Sequence, residues 1–178
     1  LNFMQRLSGT ATATSNAVAS VAGTKAKIVD TRKSTPCLRV LEKYAVRVGG
    51  GYNHRFNLSD GVLIKDNHIA AAGGVAAAIN AARAAVPHVM KIEVETETLD
   101  EVQQALDAGA DIIMLDNMSI EQMTEAVKLI AGKALTEASG NMGDKDLMAV
   151  AQTGVDIISI GSLTHSVKSL DISLKFRK

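Results

Sequence analysis

The residues of this 178-residue chain best equipped for chemistry fall in short clusters. The densest is Asp30-Thr31-Arg32-Lys33-Ser34-Thr35-Pro36, and Asn53-His54-Arg55 and Lys65-Asp66-Asn67-His68 come after it. A guanidinium grips a carboxylate or phosphate through paired hydrogen bonds, and a lysine adds a point charge. Arg32, Lys33, His54, Arg55 and Lys65 gathered in one place would therefore hold a ligand with several negative groups. Glu95 and Asp116 come later, and carboxylates beside such a site hold Mg²⁺ or accept hydrogen bonds from sugar hydroxyls. Ser139-Gly140-Asn141 and Gly161-Ser162 close the set, being small enough for backbone N–H groups to approach a phosphate. Together these types describe a site for a sugar phosphate beside a second acidic ligand.

Bringing them together requires a scaffold, and the chain alternates short aliphatic runs with amphipathic ones. Strands are expected at residues 27–30, 62–64, 91–95, 111–115, 134–137 and 156–160, the last four about 22 residues apart, room for one strand and one helix. Helices are expected at 38–48, 75–86, 99–108, 120–131 and 144–152. Glycines 49, 109, 132 and 154 or Pro87 stand at their ends. The leading segment up to Gly23 reads as a helix interrupted near Ser8-Gly9. With no hairpin signal the sheet is parallel, which admits either an α/β barrel or a doubly wound open sheet.

Strand parity separates the two. Residues two apart share a face, which groups Glu93 with Glu95, Ile112 with Met114 and Asp116, Leu135 with Glu137 and Ser139, and Ile157 with Ser159 and Gly161. Leu63 pairs with Lys65, and the first strand offers Ile28, Asp30 and Arg32. A sheet covered on both faces should be apolar throughout. Polar groups converging at the strand C-termini match a barrel with an active site at its mouth. Glu93 and Glu137 read equally well as charges paired inside the barrel.

Composition narrows the function. Nineteen basic residues balance nineteen acidic ones, which leaves no electrostatic footprint for nucleic acid or an anionic membrane. Aromatics make up 3% of the chain, too few for a base-stacking platform. One cysteine, Cys37, excludes an intrachain disulfide and fits a reducing cytoplasm, and no apolar run approaches a membrane span. Opening on Leu1 rather than Met, the chain reads as a piece of something longer.

Seven blocks, DTRKSTP, GGGYNHR, LIKDNHI, IEVE, IIMLDNM, EASGN and GVDIISIGSLTHS, resemble in order and spacing the barrel domain of the quinolinate phosphoribosyltransferase family. The resemblance runs from Leu1 to the last ten residues. It implies an incomplete TIM-like α/β barrel of about six parallel strands, with residues 1–178 forming one catalytic domain and the family's N-terminal domain absent. The implied enzyme is a pentosyltransferase in NAD biosynthesis. It joins quinolinate and phosphoribosyl pyrophosphate to give nicotinate mononucleotide, CO₂ and pyrophosphate, with Mg²⁺, as a cytoplasmic homodimer.

Carried over by motif, Thr31, Arg32, Lys33, His54, Arg55 and Lys65 surround quinolinate. Glu95 and Asp116 serve the ribose, the pyrophosphate and the metal, while Ser139, Gly140, Asn141, Gly161 and Ser162 bind the 5′-phosphate. Two positions depart from the family pattern: Cys37, where glycine is expected, and Thr136, where an aliphatic residue is usual. His68 and His165 read equally well as functional or structural. The alternatives are a paralogous phosphoribosyltransferase with another acceptor, an inactive excised barrel, and an aldolase-type barrel with Lys65 as a Schiff-base amine.

Overall fold

The computed structural model describes residues 1–176. Six strands form one sheet: β1 (Lys27–Val29), β2 (Val62–Ile64), β3 (Ile92–Thr96), β4 (Ile112–Asp116), β5 (Leu135–Ser139) and β6 (Ile157–Ser159). All neighbours are parallel and the order is β1-β6-β5-β4-β3-β2, so the first two strands of the chain stand at opposite edges. The sheet nevertheless curls, because Val29 of β1 and Val62 of β2 line one cavity with Glu93, Ile112, Glu137 and Ile157. The result is a barrel open along the β1–β2 seam. A single parallel bridge at the seam, Val29 to Tyr52, attaches the next loop to β1.

The helices are α1 (Asn2–Ser20), α2 (Arg39–Val48), α3 (Asp66–Ala72), α4 (Val75–Ala85), α5 (Leu99–Asp107), α6 (Ile120–Ile130), α7 (Leu147–Gln152) and α8 (Ser162–His165). Helices α5 and α6 start with reciprocal capping boxes, Thr98 with Glu101 and Ser119 with Gln122, each worth about 1 kcal/mol. The expected break in α1 is absent. A Cβ on Gly9 would sit 2.3 Å from the Lys168 carbonyl oxygen, so this glycine permits close packing against the C-terminal segment and does not end the helix. The helix expected at 144–152 divides into a 3-10 turn, Met142–Asp144, and α7, whose first turn is capped by Asp146. Helices α3 and α8 are not signalled by the sequence, since stretches of seven and four residues are too short to show an apolar period.

Beneath the helices lies an aliphatic core. Ile92, Val94, Ile113, Leu115 and Ile158 point outward from the strands and are fully buried with Ile79, Val102, Met123 and Ile130 of the helices. The opposite strand face carries the polar residues, as parity requires, with one reversal. Val29 is in register with Ser159, so Val29 and Thr31 face inward while Ile28 and Asp30 face the helices. Arg32 lies past the end of β1, where alternation no longer applies, and reaches the interior from a loop.

At the base of the barrel, aspartates one residue ahead of β4 and β6 tie neighbouring strands together. Asp111 accepts from the Ile92 N–H at 2.9 Å, and Asp156 accepts from the Thr136 N–H at 2.9 Å and its hydroxyl at 2.8 Å. Burial works against these charges, but the hydrogen bonds and the nearby Arg83, Lys91 and Lys25 hold both carboxyls below their ordinary range. Thr136, unusual against the family pattern, is thereby explained: its hydroxyl also accepts from the Asp156 N–H at 3.0 Å.

Candidate functional site

Two adjoining cavities occupy the mouth, at the C-terminal ends of the strands. The first, about 280 Å³, is walled by Leu63 and Met114 and ringed by Thr31, Arg32, Lys33, His54, Arg55 and Lys65. The second, about 450 Å³, is polar and takes in Glu95, Asp116, Ser139, Gly140, Asn141, Gly161, Ser162 and His165. Thr31, Lys33, Lys65, Ser139 and Ser159 border both. Every residue given a ligand role in the sequence analysis thus lines one cavity or the other, whereas their neighbours Asp30, Asn53 and His68 line neither.

The basic residues reach the first cavity from loops, held by side chains to which type and spacing give no pointer. The loop after β1 is pinned by Arg39 of α2, which donates to Ser34 Oγ at 2.9 Å and to the Arg32 carbonyl at 3.1 Å. It is pinned again by buried Glu42, which accepts from the Thr35 N–H at 2.9 Å and its hydroxyl at 2.7 Å, and from Arg6 at 3.1 Å. The 52–55 segment is held by Asp30. Its carboxylate accepts from the Lys43 ammonium, from Asn53 Nδ2 at 2.6 Å and from the His54 N–H at 2.8 Å. Cys37 sits at φ +64°, the left-handed region that glycine enters without strain, which is why glycine is the expected residue there.

His54 is clasped from below. Its Nε2 lies 3.1 Å from Glu93 Oε2 and 3.5 Å from Glu137 Oε2, and both glutamates are buried. Burial disfavours the charged ring, but hydrogen bonds to Glu137 and Glu93 and the charges of both push its pKa up to about 10. Glu93 is itself raised, mainly by burial and also by Glu137, with His54 opposing. These two carboxylates are therefore internal partners of a histidine. The three side chains cluster closely enough to ligate a metal, and Nδ1 stands 2.7 Å from the Arg55 N–H, which it accepts only in the neutral ring. In the charged ring and in that neutral one alike, Nε2 carries its proton toward the carboxylates, with no lone pair for an ion.

Arg55 is held by the Gly61 carbonyl at 3.0 Å, yet its Nε is buried without a partner, and so is that of Arg32. Burial lowers the Arg55 pKa, the nearby Arg32 charge adds to that, and Glu93 opposes it. Two neighbouring guanidiniums with unused donors, between apolar walls, suit a flat ligand bearing anionic groups at its edge. Lys65 is half exposed and pairs with Glu95 at 2.5 Å, so it bridges the basic cavity and the acidic side of the polar one. An amine so placed lacks the apolar surroundings that make a Schiff-base lysine nucleophilic. Asp116 accepts from Asn117 Nδ2 at 2.7 Å.

The small-residue loops approach each other closely. Gly140 has φ +91°, and a Cβ there would lie 2.2 Å from Asn117 Oδ1 and 2.7 Å from the Asn117 nitrogen. A Cβ on Gly143 would lie 2.4 Å from Ser162 Oγ, so the loops after β5 and β6 form one continuous wall. His165 stands in that wall, bonded to Ser166 Oγ at 2.6 Å. His68 stays outside both cavities; its Nδ1 accepts the Lys65 N–H at 2.9 Å and caps α3. Leu63, Met114 and Ser159 also line the site, and their inward parity with Lys65, Asp116 and Gly161 was the signal for them. Among the described residues no helix is long and apolar enough to cross a membrane.

Residues 10–175 match the family described as "Quinolinate phosphoribosyl transferase, C-terminal domain". A "Probable nicotinate-nucleotide pyrophosphorylase [carboxylating]" of Bacillus subtilis (strain 168) is 55% identical over 98% of this chain and 60% of its own length. The "Nicotinate-nucleotide pyrophosphorylase [carboxylating]" of Mycobacterium leprae (strain TN) is 48% identical over 98% of this chain and 62% of its own. The crystal structure of NadC from Streptococcus pyogenes superposes with a TM-score of 0.91 at 54% identity, over 99% of this chain and 62% of that one. The chain therefore spans about 60% of the length of the curated relatives it matches. On sequence, sheet order and site together, the chain belongs to the quinolinate phosphoribosyltransferase family, through that family's C-terminal domain.

Proposed function

We propose that residues 1–178 are the catalytic barrel of a cytoplasmic, dimeric enzyme that transfers the phosphoribosyl group of phosphoribosyl pyrophosphate to quinolinate and releases pyrophosphate and CO₂. The observation that carries this reading is the pair of guanidiniums, Arg32 and Arg55, with unpartnered buried Nε atoms in an apolar-walled cavity that opens past Lys65 into a polar one. The names of the relatives support it. An outward apolar stripe on α2, where Val40, Tyr44 and Val48 are more than 60% exposed, favours a covering chain.

Arg32, Arg55, Lys33 and charged His54 orient the dicarboxylate, with the ring flat between Leu63 and Met114. The 5′-phosphate lies against the joined loops at 139–143 and 161–162. The pyridine nitrogen then attacks the anomeric carbon as the bond to pyrophosphate breaks. Positive charge growing on the ribose is stabilised by Glu95 and Asp116. The nitrogen of the product ring is cationic, and the ring takes up the electron pair left when the 2-carboxylate departs as CO₂; a proton from solvent completes the product. Orientation is the protein's main contribution to that last step.

The second cavity's carboxylates fit Mg²⁺, an ion that uses one or two carboxylates together with substrate phosphates and retained water. Glu95 and Asp116 would hold it, and it would supply neutralisation of the departing pyrophosphate. Lys65, now on Glu95, is free to turn to the substrate when a cation replaces it there.

The test is turnover by the full-length enzyme, with quinolinate, nicotinate and other acidic acceptors offered in parallel. Quinolinate should be consumed with equal amounts of CO₂ and pyrophosphate formed. In an Arg55→Ala variant the KM for quinolinate should rise at least tenfold more than that for phosphoribosyl pyrophosphate. Preference for another acceptor, or equal loss toward both substrates, would overturn the assignment.

A further inference from the structure

Among the described residues the β1–β2 seam has no ladder, so the 52–55 segment cannot be placed by strand pairing beyond the one bridge at Tyr52. Residues 53–55, just past that bridge, are held by three side chains outside both site cavities. Asp30 is fully buried on the helix side of β1, and the Lys43 side chain is 3% exposed. Asp30 accepts the His54 N–H at 2.8 Å, and Lys43 donates to Asp30 and to the His54 carbonyl at 3.0 Å. Asn53 Nδ2 joins Asp30 Oδ2 at 2.6 Å to the Lys43 carbonyl at 2.9 Å. Both backbone polar groups of His54 are thus satisfied by one buried ion pair. A buried ion pair is weak evidence for stability, because an apolar pair of similar volume often serves as well. Here its distinctive effect is geometric.

We infer that Asp30, Lys43 and Asn53 are positioning residues: they hold the His54 peptide against β1 so that the His54 and Arg55 side chains meet the acceptor. None of them lines either site cavity, so they act only through the residues they hold. This assignment rests on the proposed function for the identity of the acceptor, and on geometry alone for the clamp. Because a misplacement of about 1 Å can lower a rate by 10²-fold, small slippage of this segment should be visible in kinetics.

The experiment compares Asp30→Asn, Asp30→Ala and Lys43→Met in the full-length enzyme, with Asp156→Asn as a control that loosens the base of the barrel. The clamp variants should raise the KM for quinolinate tenfold or more and leave that for phosphoribosyl pyrophosphate within about twofold. Asp30→Asn keeps an oxygen for the His54 N–H and should be the mildest. Asp156→Asn should leave both KM values near those of the parent. The ¹³C NMR signal of the His54 ring should move in the clamp variants and stay in place in the control, a readout that holds whichever acceptor is used. Equal rises in both KM values, or an unmoved His54 signal in Asp30→Ala, would overturn the inference; absence of quinolinate turnover by the parent would overturn the proposed function instead.

Discussion

Replacing Glu137 by glutamine tests what His54 contributes. The ring sits between Glu93 and Glu137 at 3.1 Å and 3.5 Å, and its pKa of about 10 stands far above the ordinary 6.5. That rise corresponds to about 5 kcal/mol in favour of the charged ring. Protonating Nδ1 sacrifices its bond from the Arg55 N–H, a loss of about 1 kcal/mol, so the carboxylates prevail and the ring is cationic at neutral pH. Since the folded value exceeds the unfolded one, the charged ring's contribution to stability is fully present below about pH 6.5 and disappears as pH rises through about 10. Glutamine preserves shape and removes one of the two charges, which should bring the ring's pKa well down toward 6.5. A ¹³C-histidine NMR titration reads this directly. Acceptor affinity should be level from about pH 7 to 9 in the parent and fall across that range in the variant. A parent ring titrating near 6.5, or a variant ring unchanged, would refute the reasoning.

The same contacts lead to other outcomes. Asp156→Asn should lose about 2 kcal/mol in urea unfolding, since the two hydrogen bonds from Thr136 lose their charged acceptor and become neutral ones, while the exposed Lys25 pair adds little. Because that carboxyl is held low, its contribution is present above about pH 4 and lost as pH falls further, so the parent and the variant should converge in acid. Cys37→Val, which puts a β-branched side chain in the left-handed region, should be at least about 1 kcal/mol less stable than Cys37→Gly by the same measurement. Gly140→Ala should weaken phosphoribosyl pyrophosphate binding at least tenfold, measured by calorimetry, because the new methyl group collides with Asn117 in the phosphate wall.

All six strands were legible because each is a short aliphatic run at a regular interval, and the inward polar residues followed from parity. The parity rule misplaced Ile28 and Asp30 together, because the phase of β1 is set by the register of Val29 with Ser159, a tertiary pairing with no local signature. Gly9 misled for a related reason: whether a glycine breaks a helix or admits a neighbour depends on the neighbour, here Lys168 at the far end of the chain. That the site residues gather at the mouth was readable from type and parity. Their wiring was not, since Lys65 on Glu95, Glu42 on Thr35 and His54 between two glutamates are pairings that tertiary folding creates.

The open seam divides the site by how readily it can be rewritten. Glu95, Asp116 and Ser139 are strand residues, and Gly140 adjoins a strand end, so the half proposed to hold the sugar phosphate is sewn into the ladder that holds the barrel together. His54 and Arg55 ride on a segment whose backbone pairs with the sheet at one bridge and which is otherwise tied to it by side chains, those of Asp30, Glu93 and Glu137. Exchanging that segment for another would leave every strand pairing intact, and with it the half of the site proposed for the donor. The gap in the wall is thus where the proposed acceptor specificity is least bound up with the stability of the sheet.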